Sequence, residues 1–223
     1  MSFKIIVDSC CDLSPELLRS GIFHSVPLTI YVGENEFRDD DTLVPQTLVD
    51  AMAMCQEASH TACPSPADYL DAFEAVDGDI YVVTLSALLS GSHNSAWQAA
   101  QMFVEEHPER NIRVFNSCSA SAGETLIALK ISELASSGMP FAQVVAQVEK
   151  YITEMNTLFV LENLDMLRKA GRLTRVQSLV TGALRVKLVM GSTPQGEIKK
   201  HTQALSIKQA LNKLVDIVAD DEN

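Results

Sequence analysis

The order of the apolar segments constrains this chain most. Phe3-Lys4-Ile5-Ile6-Val7 is a short, nearly continuous apolar run ending in Asp8-Ser9, and Ile80 to Thr84 and Ile112 to Phe115 are two more. Such runs suit strands buried on both faces. Segments of helical period separate them. Parallel neighbours need a crossover, and helices supply it, so the pattern predicts an α/β fold: a parallel sheet with helices on both faces.

The helices carry start and stop signals. Ser14-Pro15 and Ser65-Pro66-Ala67-Asp68 each offer a serine cap with proline first, and the second adds a carboxylate three residues on. Val44, Leu48, Met52 and Cys55 share one helical face. Val26 to Val32 reads as a single strand followed by a turn at Gly33-Glu34-Asn35. A helix is expected from about Asn94 with Ala99, Met102 and Phe103 inward, and with Trp97 and Phe103 as core residues. Another carries Ile127, Ile131 and Leu134 and stops at Gly138, and Pro140 opens the next, with Val144 and Val148 inward.

Past residue 155 the pattern changes. A strand at Leu158 to Leu161, a short helix ending at Gly171 and another at Val176 to Ala183 come first. A hairpin around Thr193-Pro194-Gln195-Gly196 follows, then a last helix with Ile207, Leu211, Leu214 and Val218 inward. The division expected is an α/β domain over 1–155 and a second, smaller α+β domain over 156–223.

Charge narrows the function. The 223 residues hold 17 Lys and Arg against 29 Asp and Glu, a net charge of −12. A general nucleic-acid binder needs a basic face, so nucleic acid is not an expected partner. No run reaches the roughly 18 apolar residues of a membrane span. The early Asp8 argues against a signal peptide, and a cytoplasmic protein is expected. The five cysteines are odd in number and form no Cys-x-x-Cys pair, so neither a zinc site nor a disulfide framework is expected.

Parallel sheets bind ligands in the loops at their carboxyl ends. Asp8-Ser9-Cys10-Cys11-Asp12 could bond a ligand, organise neighbouring loops, or simply form a capped turn. In Thr61-Ala62-Cys63-Pro64-Ser65-Pro66, Ser65 is engaged as a cap and Thr61 keeps a free hydroxyl before a rigid turn. Ser86-Ala87-Leu88-Leu89-Ser90-Gly91-Ser92-His93-Asn94-Ser95 joins a strand to a helix N-terminus. It is either an anion cradle for a carboxylate or single phosphate, or a capped helix start. It lacks the lysine of a nucleotide loop and the glycine spacing of a hydrolase elbow. His93 beside Ser90 allows a serine acyl hydrolase as an alternative, although no third group orients the histidine. Residues 168 to 200 hold eight basic side chains against Glu197 alone. That imbalance suits a solvated face or a dock for an anionic partner. A binding subunit for a small polar metabolite is a further alternative.

Together these segments resemble the DegV family of fatty-acid-binding proteins. Ile6-Val7-Asp8-Ser9 with Asp12-Leu13 is similar to its opening motif. Thr61-Ala62-Cys63-Pro64-Ser65-Pro66 resembles its Thr-Ser-Gln-Pro-Ser-Pro, and Leu89-Ser90-Gly91-Ser92 its Leu-Ser-Gly-Thr. Asn116-Ser117 through Gly123 resembles its Asp-Ser…Gly loop. Leu164, Leu167 and Lys169-Ala170-Gly171-Arg172-Leu173 resemble its Leu…Leu…Lys-Gly-Gly-Arg-Ile.

The resemblance implies a lipid-binding carrier of lipid metabolism, not a catalyst. A long-chain fatty acid would lie in an apolar tunnel between two domains, with its carboxylate at Thr61 and Ser90. Ser65, Gly91 and Ser92 would complete the ligand-binding loops. No cofactor or metal is implied. A separate fatty acid kinase subunit would phosphorylate the carboxylate, supplying ATP and metal itself, and Lys169, Arg172 and Arg175 would dock it. Ala62, Cys63, Ser92, Asn116 and Ala170 depart from the commoner residues. Family chains run some tens of residues further, to a His-Thr-Gly-Pro-Gly-like motif whose histidine also reaches the carboxylate. The sequence here ends at Asp220-Asp221-Glu222-Asn223, and His201 lies in the wrong context to replace that histidine. Two expectations follow: either the chain is shortened, leaving a second domain with an uncovered strand edge or tunnel wall, or this member is a short variant that holds the head group with two hydroxyls.

Overall fold

The computed structural model describes residues 2–173 and 186–221. These form two compact units, Met1–Met155 and Asn156–Asn223.

The first unit is built on four parallel strands: β1 (Phe3–Asp8), β2 (Phe23–Val26), β6 (Asp79–Thr84) and β7 (Ile112–Asn116). Their spatial order is β2-β1-β6-β7. Alternate residues feed opposite faces, as the two-residue period of a strand requires. Ile5, Val7, Tyr81, Val83 and Phe115 pack under α5 (Ala122–Ser136) and α6 (Phe141–Glu154), against Ile127, Ile131, Val144 and Val148. On the other face Ile6, Ile80 and Val82 meet Tyr69, Ala72 and Phe73 of α3 (Pro66–Glu74). Ala96, Ala99, Ala100 and Phe103 of α4 (Ser92–Glu106) complete that layer. The fold is therefore the expected α/β sandwich.

Three local expectations are corrected. Val26 to Val32 is two strands, because Pro27 has no N–H for the parallel ladder. The chain leaves the main sheet there and enters an antiparallel sheet of β4 (Asn35–Arg38), β3 (Thr29–Val32) and β5 (His60–Ala62). Helix α4 starts two residues before Asn94, at Ser92. Its inward face is therefore Ala96, Ala99, Ala100 and Phe103, while Trp97 and Met102, both 51% exposed, point outward. Small alanines let the helix lie close to the sheet. The short α1 (Pro15–Arg19) is capped by Ser14 as expected. On α2 (Pro45–Met54), Leu48 and Met52 are half-buried and Val44 is the exposed N-cap.

In the second unit β8 (Leu158–Val160), β9 (Lys187–Ser192) and β10 (Ile198–Ala204) form an antiparallel sheet in the order β10-β9-β8. The hairpin at Thr193 to Gly196 closes with Thr193 N–H on Glu197 O, 2.7 Å, and a bulge falls at His201. The short α7 (Asp165–Lys169) runs into Gly171 at φ +73°. Helix α8 (Ile207–Asp221) packs Ala210, Leu214 and Ile217 against Val160, Val189 and Ala204. Leu211 and Val218, expected inward, are exposed, because Ala210 takes the close position instead. The helix expected at Val176 to Ala183 lies outside the described residues, as do Arg175 and Arg185.

Candidate functional site

The strand order places the switch in the direction of strand addition between β1 and β6. A crevice opens at the carboxyl ends of the strands at such a point. Asp8 closes β1 there and Leu85 follows β6.

Asp8 is fully buried. Its Oδ2 accepts the Leu85 N–H at 2.9 Å and the Ser92 hydroxyl at 2.5 Å, and Oδ1 accepts the Cys10 N–H at 3.2 Å. Ser92 spends its only hydroxyl proton on Asp8. Tyr69 OH, 2.7 Å from Ser92 Oγ, must therefore donate. Burial raises the Tyr69 phenol, which keeps that proton in place. Glu124, in the first turn of α5, is also fully buried. Its Oε1 accepts the Ser121 N–H at 3.2 Å, while Oε2 has no well-formed partner among the described residues. Desolvation, then the nearby Asp8 charge, pushes the Glu124 carboxyl up to about 10. Asp8 is raised as well, by burial, against the lowering effect of its hydrogen bonds. One proton therefore resides on Glu124 beside an Asp8 that acts as acceptor.

The loop from Ser86 to Ser92 is pinned from the other side too. Asn116 Oδ1 accepts the Ala87 N–H at 3.0 Å, and Ser119 O accepts the Ser86 N–H at 2.9 Å. Gly123 allows the approach of α5, because a Cβ there would sit 2.0 Å from Ser119 Oγ.

Ser90, half-buried, accepts the Ser92 N–H on Oγ at 3.2 Å. Beside the N-terminus of α4, its hydroxyl proton has no acceptor among the described residues. The Thr61 hydroxyl, exposed on β5, has no partner among the described residues. The two loops touch through Cys63: its Sγ lies 4.0 Å from Ser95 Oγ and 3.0 Å from where a Gly91 Cβ would be. A side chain at 91 would press on the Cys63 sulfur. Ser65 is consumed as a cap, with Asp68 N–H on its Oγ at 3.2 Å and its own hydroxyl on Asp68 Oδ2 at 2.7 Å. Ser92 faces inward, toward Asp8 and Tyr69. His93 Nδ1 lies 3.3 Å from Thr84 Oγ1, and burial lowers its pKa. No Ser90–His93 bond forms among the described residues, so the geometry supplies no nucleophile–base pair.

Arg172 follows Gly171 and is exposed, with Nη1 on Ala170 O at 2.5 Å. Lys169 is exposed at the end of α7. All five cysteines are free thiols. No helix among the described residues is long and apolar enough to cross a membrane.

The DegV family model matches residues 2–223. The chain belongs to the DegV family. A DegV domain-containing protein of Streptococcus gordonii is 39% identical over 214 residues, which is 95% of this chain and 76% of the relative. A DegV family structure from Ruminococcus gnavus, refined with vaccenic acid, superposes with a TM-score of 0.94 at 48% identity, covering 99% of this chain and 79% of that one. The Streptococcus pneumoniae Fatty Acid Kinase (Fak) B3 protein loaded with linoleic acid gives 0.91 at 37% identity, again over 99% and 79%. Similar structures of this DegV fold thus carry fatty acids.

The neutral Glu124 gives a stability signature. From its ordinary value of 4.5 up to about 10, the unfolded chain releases this proton and the folded chain keeps it. The unfolded state then binds fewer protons, so the group's contribution to stability falls as pH rises. Glu124→Gln removes that loss. Its denaturation midpoint should gain on the parent's from about pH 5 to about pH 9. A difference independent of pH would mean that Glu124 is ionised in the fold.

Proposed function

We propose that this DegV protein binds a long-chain fatty acid with its carboxylate on the Thr61 and Ser90 hydroxyls. The observation that carries the reading is the state of those hydroxyls. Ser90 has a lone pair occupied by a backbone N–H and a proton to give. Thr61 stands unpartnered among the described residues on the loop that touches Gly91. The Ser90 hydroxyl beside a helix N-terminus, with Thr61 on the loop that reaches Gly91, suits a single carboxylate, which needs donors and positive potential. The fatty acids in similar structures support the ligand class. The net charge of −12 makes neutral donors a sensible way to hold an anion, provided that they are pre-aimed.

The protein then acts as a carrier. It holds the acid for a kinase that supplies nucleotide and metal, and Lys169 and Arg172 form part of the dock. The relative named Fatty Acid Kinase B3 supports this role. Arg175, assigned to the same dock, lies outside the described residues. The cytoplasm, where thiols stay reduced, suits five free cysteines.

Removing one hydroxyl deletes a hydrogen bond to a charged acceptor, worth about 1.5–3 kcal/mol. Thr61→Ala and Ser90→Ala should each weaken linoleate binding about tenfold or more. Parent-like affinity in both single variants rejects the head-group placement. The dock has its own test. Exposed interface charges mainly set association rate and salt dependence. Lys169→Glu with Arg172→Glu should slow acyl-phosphate formation by a partner kinase, most at low salt, with linoleate affinity unchanged. Loss of linoleate with kinase coupling intact would move these residues to the lipid site.

A further inference from the structure

The opening motif, Asp8-Ser9, touches neither Thr61 nor Ser90 through any hydrogen bond among the described residues, yet it holds the best-buried carboxylate of the main sheet. We propose that Asp8, acting through Ser92, is a positioning residue that aims the Ser90 hydroxyl at the ligand carboxylate. This rests on the head-group reading above and deepens it.

The linkage is short. Asp8 Oδ2 fixes two points of one loop, Leu85 N–H at its start and Ser92 Oγ at its end. Ser92 in turn holds Ser90 through its own N–H. Ser90 N–H bonds Ser86 O at 3.1 Å, which closes the loop on itself. With Oδ2 gripping both ends, Ser90 Oγ is two hydrogen bonds from a fully buried anchor. Tyr69 OH braces Ser92 from α3 and fixes which way its hydroxyl proton points.

Four further hydrogen bonds hold the segment around the anchor. Cys10 N–H bonds Asp8 Oδ1, and the Asp12 carboxylate accepts the Ser121 hydroxyl. Ser9 Oγ accepts the Leu28 N–H at 3.0 Å and donates to Asp39 Oδ2 at 2.7 Å. Ser121 has φ +58°, a conformation that a non-glycine residue keeps only when its surroundings hold it. The Ser121 N–H on Glu124 and its hydroxyl on Asp12 do so. A loop that merely linked β6 to α4 would need none of this. The chain places the carboxyl ends of β1 and β6, the first turn of α5 and Tyr69 of α3 around one rigid point behind Ser90.

Ser92→Ala removes the link; it also takes a donor from Asp8 and the acceptor from Tyr69 OH, so stability is read beside affinity. Threonine, the residue of the family's Leu-Ser-Gly-Thr segment, keeps the hydroxyl and serves as the conservative rescue. Linoleate affinity of the delipidated full chain is measured alongside thermal midpoint for Ser92→Ala, Ser92→Thr, Ser90→Ala and the double variant Ser90→Ala/Ser92→Ala. Because the Ser92 hydroxyl acts only through Ser90, Ser92→Ala should lose about tenfold in affinity and the double variant should fall no more than about twofold below Ser90→Ala alone. Ser92→Thr should bind within about twofold of the parent. Asp8→Asn, which puts an amide where three donors need an acceptor, should lose affinity at least as much as Ser92→Ala. Parent-like binding by Ser92→Ala, or losses that multiply in the double variant, overturns the positioning role while leaving the head-group reading intact. Parent-like binding by Ser90→Ala overturns both.

Discussion

A carboxylate removed from water must be given donors by the chain, and the arrangement of the first unit follows from that constraint. Asp8 sits at the end of a strand with both faces covered, where no solvent can reach it. The unpaired alternative is costly enough that such groups are partnered or neutralised. Here the chain does both. Asp8 takes donors from Leu85, Ser92 and Cys10, and the adjacent Glu124 keeps its proton. Satisfying one buried group thereby ties together loops separated by up to 84 residues in sequence. The loop from Leu85 to Ser92 at the carboxyl edge is anchored by that tie at both ends.

Much of this architecture was legible from residue order alone. The apolar runs at Ile5 to Val7, Ile80 to Thr84 and Ile112 to Phe115 became neighbouring parallel strands. The serine–proline starts at Ser14 and Ser65 became caps. Pro27 split one expected strand, and the misread helix faces share another cause. Alanine is weakly apolar, so a face of Ala96, Ala99 and Ala100 was hidden behind the bulkier Trp97 and Met102, and Ala210 behind Leu211. Close approach to a sheet rewards small side chains, which hydrophobic periodicity does not register.

Of the proposed site, Thr61 and Ser90 stood out in the sequence as two hydroxyls in strand-end loops. Ser92 was grouped with them, but the two-residue shift in the start of α4 turns it inward, onto Asp8. Neither Tyr69 nor Glu124 stood out in the sequence. Their roles depend on partners 23 residues or more away, and no local pattern encodes such a contact. The one local hint was Asp8 itself, a charged residue closing an apolar strand.

Residues 168–200 hold eight basic side chains against Glu197 alone, whereas the hydroxyls proposed for the head group carry no charge. In the proposed reading, neutral hydroxyls hold the acid and the basic side chains attract the partner. The central claim, that the hydroxyl pair holds a free long-chain carboxylate, meets its most direct measurement in organic extraction of the purified protein followed by mass spectrometry. The account predicts a near-stoichiometric amount of free fatty acid, released on denaturation and exchangeable for added linoleate. Recovery of a polar metabolite, or of only esterified lipid without a free carboxylate, would contradict it.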